Sequence, residues 1–155
     1  MNDIYVVAVI SWTCKKFDEL SPAELYALLR LRSEVFVVEQ NCVFLDMDNK
    51  DMACYHLMGW TDGKLVAYTR LVPPGVAYAE PSIGRVVTDI TVRRSGIGRV
   101  LMHESISKCR ALFGNTTIRI GAQLYLKEFY TSLGFVPTGG IYPEDGIDHI
   151  QMLLS

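Results

Sequence analysis

The stretch Arg93-Arg94-Ser95-Gly96-Ile97-Gly98 constrains what this chain can fold into more than any other. Ahead of it, Ile83-Gly84-Arg85-Val86-Val87-Thr88 reads as a short strand. Behind it, Leu101, Met102, Ile106, Cys109 and Phe113 recur at the spacing of a helix with one buried face. A glycine-containing loop that feeds a helix aims several unpaired backbone N–H groups at one point. The helix dipole makes that point attractive to an anion, most often a phosphate. The segment predicts a phosphate-bearing ligand.

The spacing narrows the choice. No Gly-Lys-Ser/Thr closes the loop, so it is not the phosphate loop of nucleotide hydrolases. The dinucleotide fingerprint fails as well, because its third glycine position is Leu101, too bulky for close helix–strand contact. A second segment follows in order. Thr117 to Ala122 alternates as a strand, Leu126 to Leu133 reads as a short helix, and Gly134 stops it before Phe135-Val136 resumes extended structure.

Elsewhere the elements are plainly marked. Ser21-Pro22-Ala23-Glu24 is a helix start, with a serine cap, a first-turn proline and a glutamate three residues after the cap. Leu25, Leu28, Leu29, Val35 and Phe36 mark that helix's buried face. Tyr55 to Trp60 and Leu65 to Leu71 alternate as strands joined through Thr61-Asp62-Gly63-Lys64, a hairpin signal, and Pro73-Pro74-Gly75 breaks the chain afterwards. The order strand, helix, paired strands, strand, helix, strand, helix, strand describes an α/β domain. Its mixed β-sheet would carry helices on both faces.

The pattern Arg93-x-x-Gly96-x-Gly98 with Phe129-Tyr130-x-x-Leu133-Gly134-Phe135 resembles the two signatures of the GCN5-related N-acetyltransferase (GNAT) superfamily. Arg32 to Asn41, His56, Gly121-Ala122-Gln123 and Asp145 to Ile150 are similar to its ElaA-like branch, over a span from about Ile10 to the C-terminus. The resemblance implies a GNAT-type sheet and acetyl-CoA as co-substrate, with an amine-bearing small molecule or protein as acceptor. It places the pyrophosphate on the backbone N–H groups of Arg94, Ser95, Gly96, Ile97, Gly98 and Arg99, with charge from Arg93, Arg94 or Arg99. It sets Val86, Val87 and Thr88 against the pantetheine arm, Gln123 where many members bond that arm through asparagine, and Tyr130 beside the sulfur.

A phenol is protonated at neutral pH, so Tyr130 is the candidate general acid; its bland alternative is a half-buried packing tyrosine. Some relatives place a basic glutamate on the strand before this helix, but here the position is Ile118. Candidate bases elsewhere are Glu39, His56 and His149, with His56 expected near the cleft. Arg32 falls on an apolar helix face, and Arg70 and Arg85 lie inside strands. An inward arginine needs a carboxylate or a wet pocket. The three would suit an acidic acceptor or a carboxylate on the substrate; the competing account is structural ion pairs with Glu34, Glu39, Asp46 or Asp48, or simple snorkelling. Asp46-x-Asp48-x-x-Asp51 lacks the glycine and closing glutamate of a calcium loop, so no metal is expected.

A chain of 155 residues, half of them apolar, fits a single domain over 1–155, with 1–9 as an N-terminal arm or edge strand. A net charge of −2 without a basic run gives no footprint for nucleic acid or a membrane surface. Cys14, Cys42, Cys54 and Cys109 form no Cys-x-x-Cys pair, and Ile4 to Ile10 is too short for a membrane span and has neither the basic flank nor the small-residue cleavage site of a signal, so free thiols in the cytoplasm are expected. A homodimer is compatible with such a domain. The function expected is an N-acetyltransferase acting by direct attack in a ternary complex. The alternative is a coenzyme A-binding sensor or regulatory module without turnover, which the missing strand glutamate keeps open.

Overall fold

The computed structural model describes residues 9–155. The arm expected over 1–9 lies, save its last residue, outside the described residues. They form a seven-stranded sheet in the order β1-β2-β3-β4-β5-β7-β6. The strands are β1 (Ser11–Lys16), β2 (Tyr55–Thr61), β3 (Lys64–Val72), β4 (Ser82–Thr88), β5 (Ile118–Gln123), β6 (Val136–Glu144) and β7 (Ile147–Leu154). Three α-helices accompany them among the described residues: α1 (Pro22–Arg32), α2 (Ile97–Phe113) and α3 (Lys127–Ser132). Every neighbouring pair of strands is antiparallel except β4 and β5.

Local chemistry sets the ends of these elements. Ser21 Oγ accepts from Glu24 N–H at 3.1 Å and Glu24 Oε1 accepts from Ser21 N–H at 2.9 Å, which is the capping box read from sequence. Asp62 and Gly63, both left-handed at φ 48 and 76, turn β2 into β3 as expected. Sequence reasoning expected one strand after α3, and the structure has two. Asp145 and Gly146, at φ 51 and 76, make the same kind of turn, and β7 returns to insert between β5 and β6. The Asp-Gly dipeptide flanked by extended residues was the signal for it.

Two apolar clusters lie on opposite faces of the sheet. Met58, Leu65, Tyr68 and Val87 meet Leu28 and Leu31 of α1 on one face. Leu57, Ala67, Leu71, Ile83, Ile118 and Ile120 meet α2 and α3 on the other, through Leu101, Met102, Cys109 and Tyr130. Helices therefore cover both faces, as the α/β reading required.

Past Arg32 the α1 helix widens into a π-helical turn over Ser33–Glu39. There Gln40 N–H donates to Val35 O and Cys42 N–H to Val37 O, each at 3.1 Å. Such turns favour functional sites, because the extra residue re-aims the chain. Here the re-aimed chain, Gln40 to Leu45, runs along one wall of a cleft.

Candidate active site

The cleft opens because β4 and β5 separate. They pair at Ser82 and Arg119, and Arg119 N–H donates to Pro81 O at 3.0 Å. Among the described residues that is their one paired position, and beyond it the strands part. A bulge in β4 helps to part them. Tyr68 pairs with Val87 and Arg70 with Gly84, so Arg85 and Val86 stand opposite Thr69 alone, with Arg85 left-handed at φ 49. A bulge of this kind bends and twists its strand.

The resulting cleft has a volume of about 1050 Å³ and passes through the plane of the sheet. Tyr130 lines it from the α2–α3 side. Ile120, Ala122 and Ile150 point to that side too, so by strand alternation Gly121, Gln123 and His149 point to the α1 side.

At one end the cleft reaches Thr88 and Arg93, which lead into the N-terminus of α2. Its cap is Gly96, left-handed at φ 82 and without a capping side chain. The first intrahelical bond runs from Val100 N–H to Gly96 O at 3.2 Å, which leaves the N–H groups of Ile97, Gly98 and Arg99 ahead of it. A Cβ built on Gly98 would meet Phe129 Cζ at 3.8 Å, an ordinary contact. The protein's own packing therefore does not demand glycine there, and a close-approaching ligand would. The cradle fits a phosphate group.

The arginines of the loop divide their work. Arg93 Nη2 donates to Thr88 O at 3.1 Å and its other arm pairs with Glu39, which ties the loop to the end of β4 and to the π-helical turn. Arg94 is left-handed at φ 64. Ser95 Oγ donates to Val92 O, and Arg99 reaches α3 through Ser132 Oγ at 2.8 Å. Val86, Val87 and Thr88 line the cleft beside the loop. Val87 also packs under α1 and Val86 on the opposite cluster, so core and cleft roles coexist in these residues.

Tyr130 is buried, its ring edge-packed on Phe129 and Phe135 with centroids 5.2 and 5.9 Å away. Its hydroxyl makes no hydrogen bond to protein among the described residues, and the residue lines the cleft. Burial raises its phenol well above the ordinary value, so it stays protonated across the neutral range. Gln123 and Gln40 exchange side-chain amide hydrogen bonds at 3.3 and 3.4 Å across the cleft. Cys42 Sγ donates to Asp145 O at 3.2 Å, so the segment after α1 is fastened to both β5 and the β6–β7 turn. The sequence assigned neither Gln40 nor Cys42 a place in the site. The five-residue backbone bonds that bring them here leave no trace in hydrophobic periodicity.

His149 lines the cleft, with Nδ1 2.7 Å from Ile147 O, Nε2 3.5 Å from Glu144 Oε2 and its ring against Tyr142. Tyr78, which the sequence did not single out, lies nearby. A Cβ on Gly121 would fall 2.8 Å from Tyr142 Oη and 3.2 Å from Tyr78 Oη, so glycine makes room for two converging hydroxyls. Burial pushes the Tyr142 phenol up to about 12.

His56 does not lie on the cleft, contrary to expectation. It is fully buried, with Nδ1 2.7 Å from Tyr68 Oη and Nε2 2.9 Å from Asp51 O. Tyr68 donates to one ring nitrogen and the other donates to the carbonyl, so neither is open to a substrate. Burial lowers its basicity. Glu39 lines the cleft, but its carboxylate is held by Arg93. Ile118, at the position of the missing glutamate, is completely buried in the core.

The three inward arginines form one network with the three aspartates. Arg32 is wholly buried and donates through Nε to Asp46 Oδ2 and through Nη1 to Asp51 Oδ1, both at 2.8 Å. Arg70 grips Asp48 with bonds of 2.7 and 2.8 Å and reaches Asp51 at 3.1 Å. Arg85 holds Asp46 Oδ1 at 2.9 Å and Asp46 O at 2.7 Å. The expectation of an acceptor carboxylate at these arginines gives way to the ion-pair reading: Arg32 lies away from the cleft, and Arg70 and Arg85 line it with carboxylates already on their guanidinium groups, the buried Arg70 Nε being without a partner among the described residues. Asp51 as a partner was missed, because its loop has no periodic pattern to place it. Burial alone would raise Asp48, but hydrogen bonds from Arg70 and Lys50 N–H and the Arg70 and Arg85 charges outweigh it and hold the carboxyl well below its usual range.

Residues 31–155 match the acetyltransferase (GNAT) domain family. Among similar proteins, a UPF0039 protein of Synechocystis is 43% identical over 145 residues, spanning 93% of this chain and 94% of that one. Protein ElaA of Escherichia coli is 40% identical over 146 residues, 93% of this chain and 95% of its own. The crystal structure of an acyl-CoA N-acyltransferase from Pseudomonas aeruginosa superposes with a TM-score of 0.91 at 41% identity, covering 95% of this chain and 100% of that one. The parted strands, the uncapped α2 loop and these matches together lead to one conclusion: the chain belongs to the GNAT acetyltransferase family.

Proposed function

We propose that this protein transfers an acetyl group from acetyl-CoA to a primary amine, by direct attack while both are bound. One observation carries the reading: β4 and β5 part into a cleft that runs from Thr88 and Arg93, the residues leading into the uncapped N-terminus of α2, to the free hydroxyl of Tyr130. When bound there, the coenzyme supplies an acyl group activated as a thioester. Backbone N–H groups of Ile97, Gly98 and Arg99 bind its pyrophosphate, and the exposed edge of β4 at Val86 to Thr88 aligns the arm and polarises the carbonyl. Tyr130 offers its hydroxyl hydrogen to the departing sulfur. The burial that keeps the phenol protonated also disfavours the phenolate, so this hydrogen bond strengthens as charge develops on sulfur and needs no fully formed tyrosinate.

The test is calorimetric titration with acetyl-CoA followed by thiol release against a panel of amines. Binding with amine-dependent thiol release is the expected outcome. Binding without release across a broad panel would leave a coenzyme A-responsive module instead. Absence of binding would remove both.

A further inference from the structure

His149 is fixed as one tautomer. Ile147 O lies 2.7 Å from Nδ1, and a carbonyl can only accept, so Nδ1 carries the hydrogen. In the neutral ring Nε2 is then an acceptor. Glu144 Oε2, another acceptor, lies 3.5 Å from it. Two acceptors converging without a hydrogen between them are a poor arrangement for a closed structure and a good one for receiving a donor. Both residues line the cleft on the α1 face, opposite Tyr130, with His149 only 8% exposed and Glu144 open to solvent.

We propose that His149 and Glu144 receive the acceptor amine: Glu144 draws in the ammonium, and His149 Nε2 takes its proton. The proposal rests on the acetyl-transfer reading and deepens it by naming the base and the form of the substrate, a protonated alkyl amine. Of the other carboxylates on the cleft, Glu39 is paired with Arg93 and Asp48 with Arg70 and Arg85, while Asp145 sits in the β6–β7 turn. His149 is faced from β6 by Glu144 and Tyr142 and from β5 by Gln123, with Asp148 beside it in β7; Lys50 and Asp145 also line the cleft. Of these, Glu144 is the one carboxylate in contact with the Nε2 edge.

The step balances. The ammonium N–H bond breaks and its proton passes to His149 Nε2. The freed nitrogen pair forms the bond to the acetyl carbonyl carbon, the carbon–sulfur bond breaks with its electrons on sulfur, and Tyr130 supplies a hydrogen to that sulfur. The second amine proton and the imidazolium proton return to solvent, and solvent returns one proton to the Tyr130 oxygen.

The experiment pairs alkyl amines with their fluorinated analogues, which are neutral at assay pH and need no base to lose a first proton. His149→Gln should lower kcat/KM for the alkyl amines by about a hundredfold or more. It should keep acetyl-CoA affinity and lose far less with the fluorinated amines. His149→Ala should recover part of its rate with added imidazole. Glu144→Gln should raise KM for the cationic amines more than it lowers kcat. Equal rates for His149→Gln and the parent overturn the proposal alone, as does an equal loss with both amine classes or a failure of imidazole to rescue. A parent that binds acetyl-CoA but shows thiol release with none of the amines overturns the acetyl-transfer reading and this proposal together.

Discussion

Arg85 Nε donates to Asp46 Oδ1 at 2.9 Å while the Arg85 backbone stands at φ 49, so a buried-end ion pair holds a left-handed residue in the middle of a strand. A non-glycine residue in that region costs on the order of 1–2 kcal/mol. The strain persists because Asp46 is itself held by Arg32. What it yields is the bulge that turns Val86 to Thr88 toward the cleft.

That relationship predicts an inverted ranking of variants. In an ordinary strand, glycine is less stable than alanine by about 0.5–1 kcal/mol. At position 85 both Arg85→Gly and Arg85→Ala lose the ion pair, but only glycine relieves the backbone. Arg85→Gly should be the more stable of the two by about 1 kcal/mol in urea unfolding. An alanine variant as stable as the glycine one would show that the left-handed conformation is not retained.

Acid should destabilise the fold in two stages. His56 is held neutral by burial, with its folded value below its unfolded one, so the unfolded chain gains a proton first as pH drops below about 6.5. Asp48 and Asp51 are depressed chiefly by their arginines, against burial. Their stabilisation is complete above the unfolded carboxylate value of about 3.9 and fades as pH falls below it. Unfolding midpoints should therefore decline gently from pH 7 to 5 and steeply below 4. His56→Gln should flatten the upper slope and leave the lower one. A midpoint constant from pH 7 to 5 in the parent would rule out His56 as the source.

The phosphate cradle is open to a single substitution. Gly98 has an ordinary helical entry conformation and meets only Phe129 at contact distance, so Gly98→Glu should fold. The new carboxylate would fill the space before the first-turn N–H groups with like charge. Acetyl-CoA affinity should drop by about a hundredfold or more, read by calorimetry. Unchanged affinity in a folded variant would remove the cradle from the binding site.

Legibility in the sequence followed how local each signal was. The Ser21–Glu24 cap, the Asp62-Gly63 turn and the Gly96-x-Gly98 helix entry are set within a few residues, and each appears where the residues indicated. Arg32 was recognisable as anomalous because it broke an apolar face, yet its partners Asp46 and Asp51 sit in an irregular loop, where no period marks which side chain turns inward. His56 and His149 were both candidate bases in the sequence, and His56 was the one expected near the cleft. Only the pairing of β7 between β5 and β6, a long-range event, separates the buried one from the one on the cleft. Gln40 reaches Gln123 across 83 positions through a π-helical turn, for which the sequence offers no simple mark.

Tyr130 gives the last test. Its ring is fixed between Phe129 and Phe135, so Tyr130→Phe keeps the packing and removes only the hydroxyl. That hydroxyl has no protein partner among the described residues, so its loss should cost the fold less than about 1 kcal/mol. Acetyl-CoA affinity should hold. Turnover should fall by about a hundredfold, because the missing hydrogen bond matters most when charge has built up on sulfur. An acyl donor with a more acidic leaving thiol needs that hydrogen bond less, so the deficit should shrink with it. A variant that turns over at the parental rate would reduce Tyr130 to packing. One that loses affinity in step with activity would make it a binding residue, and a deficit independent of the leaving thiol would place its action at another step.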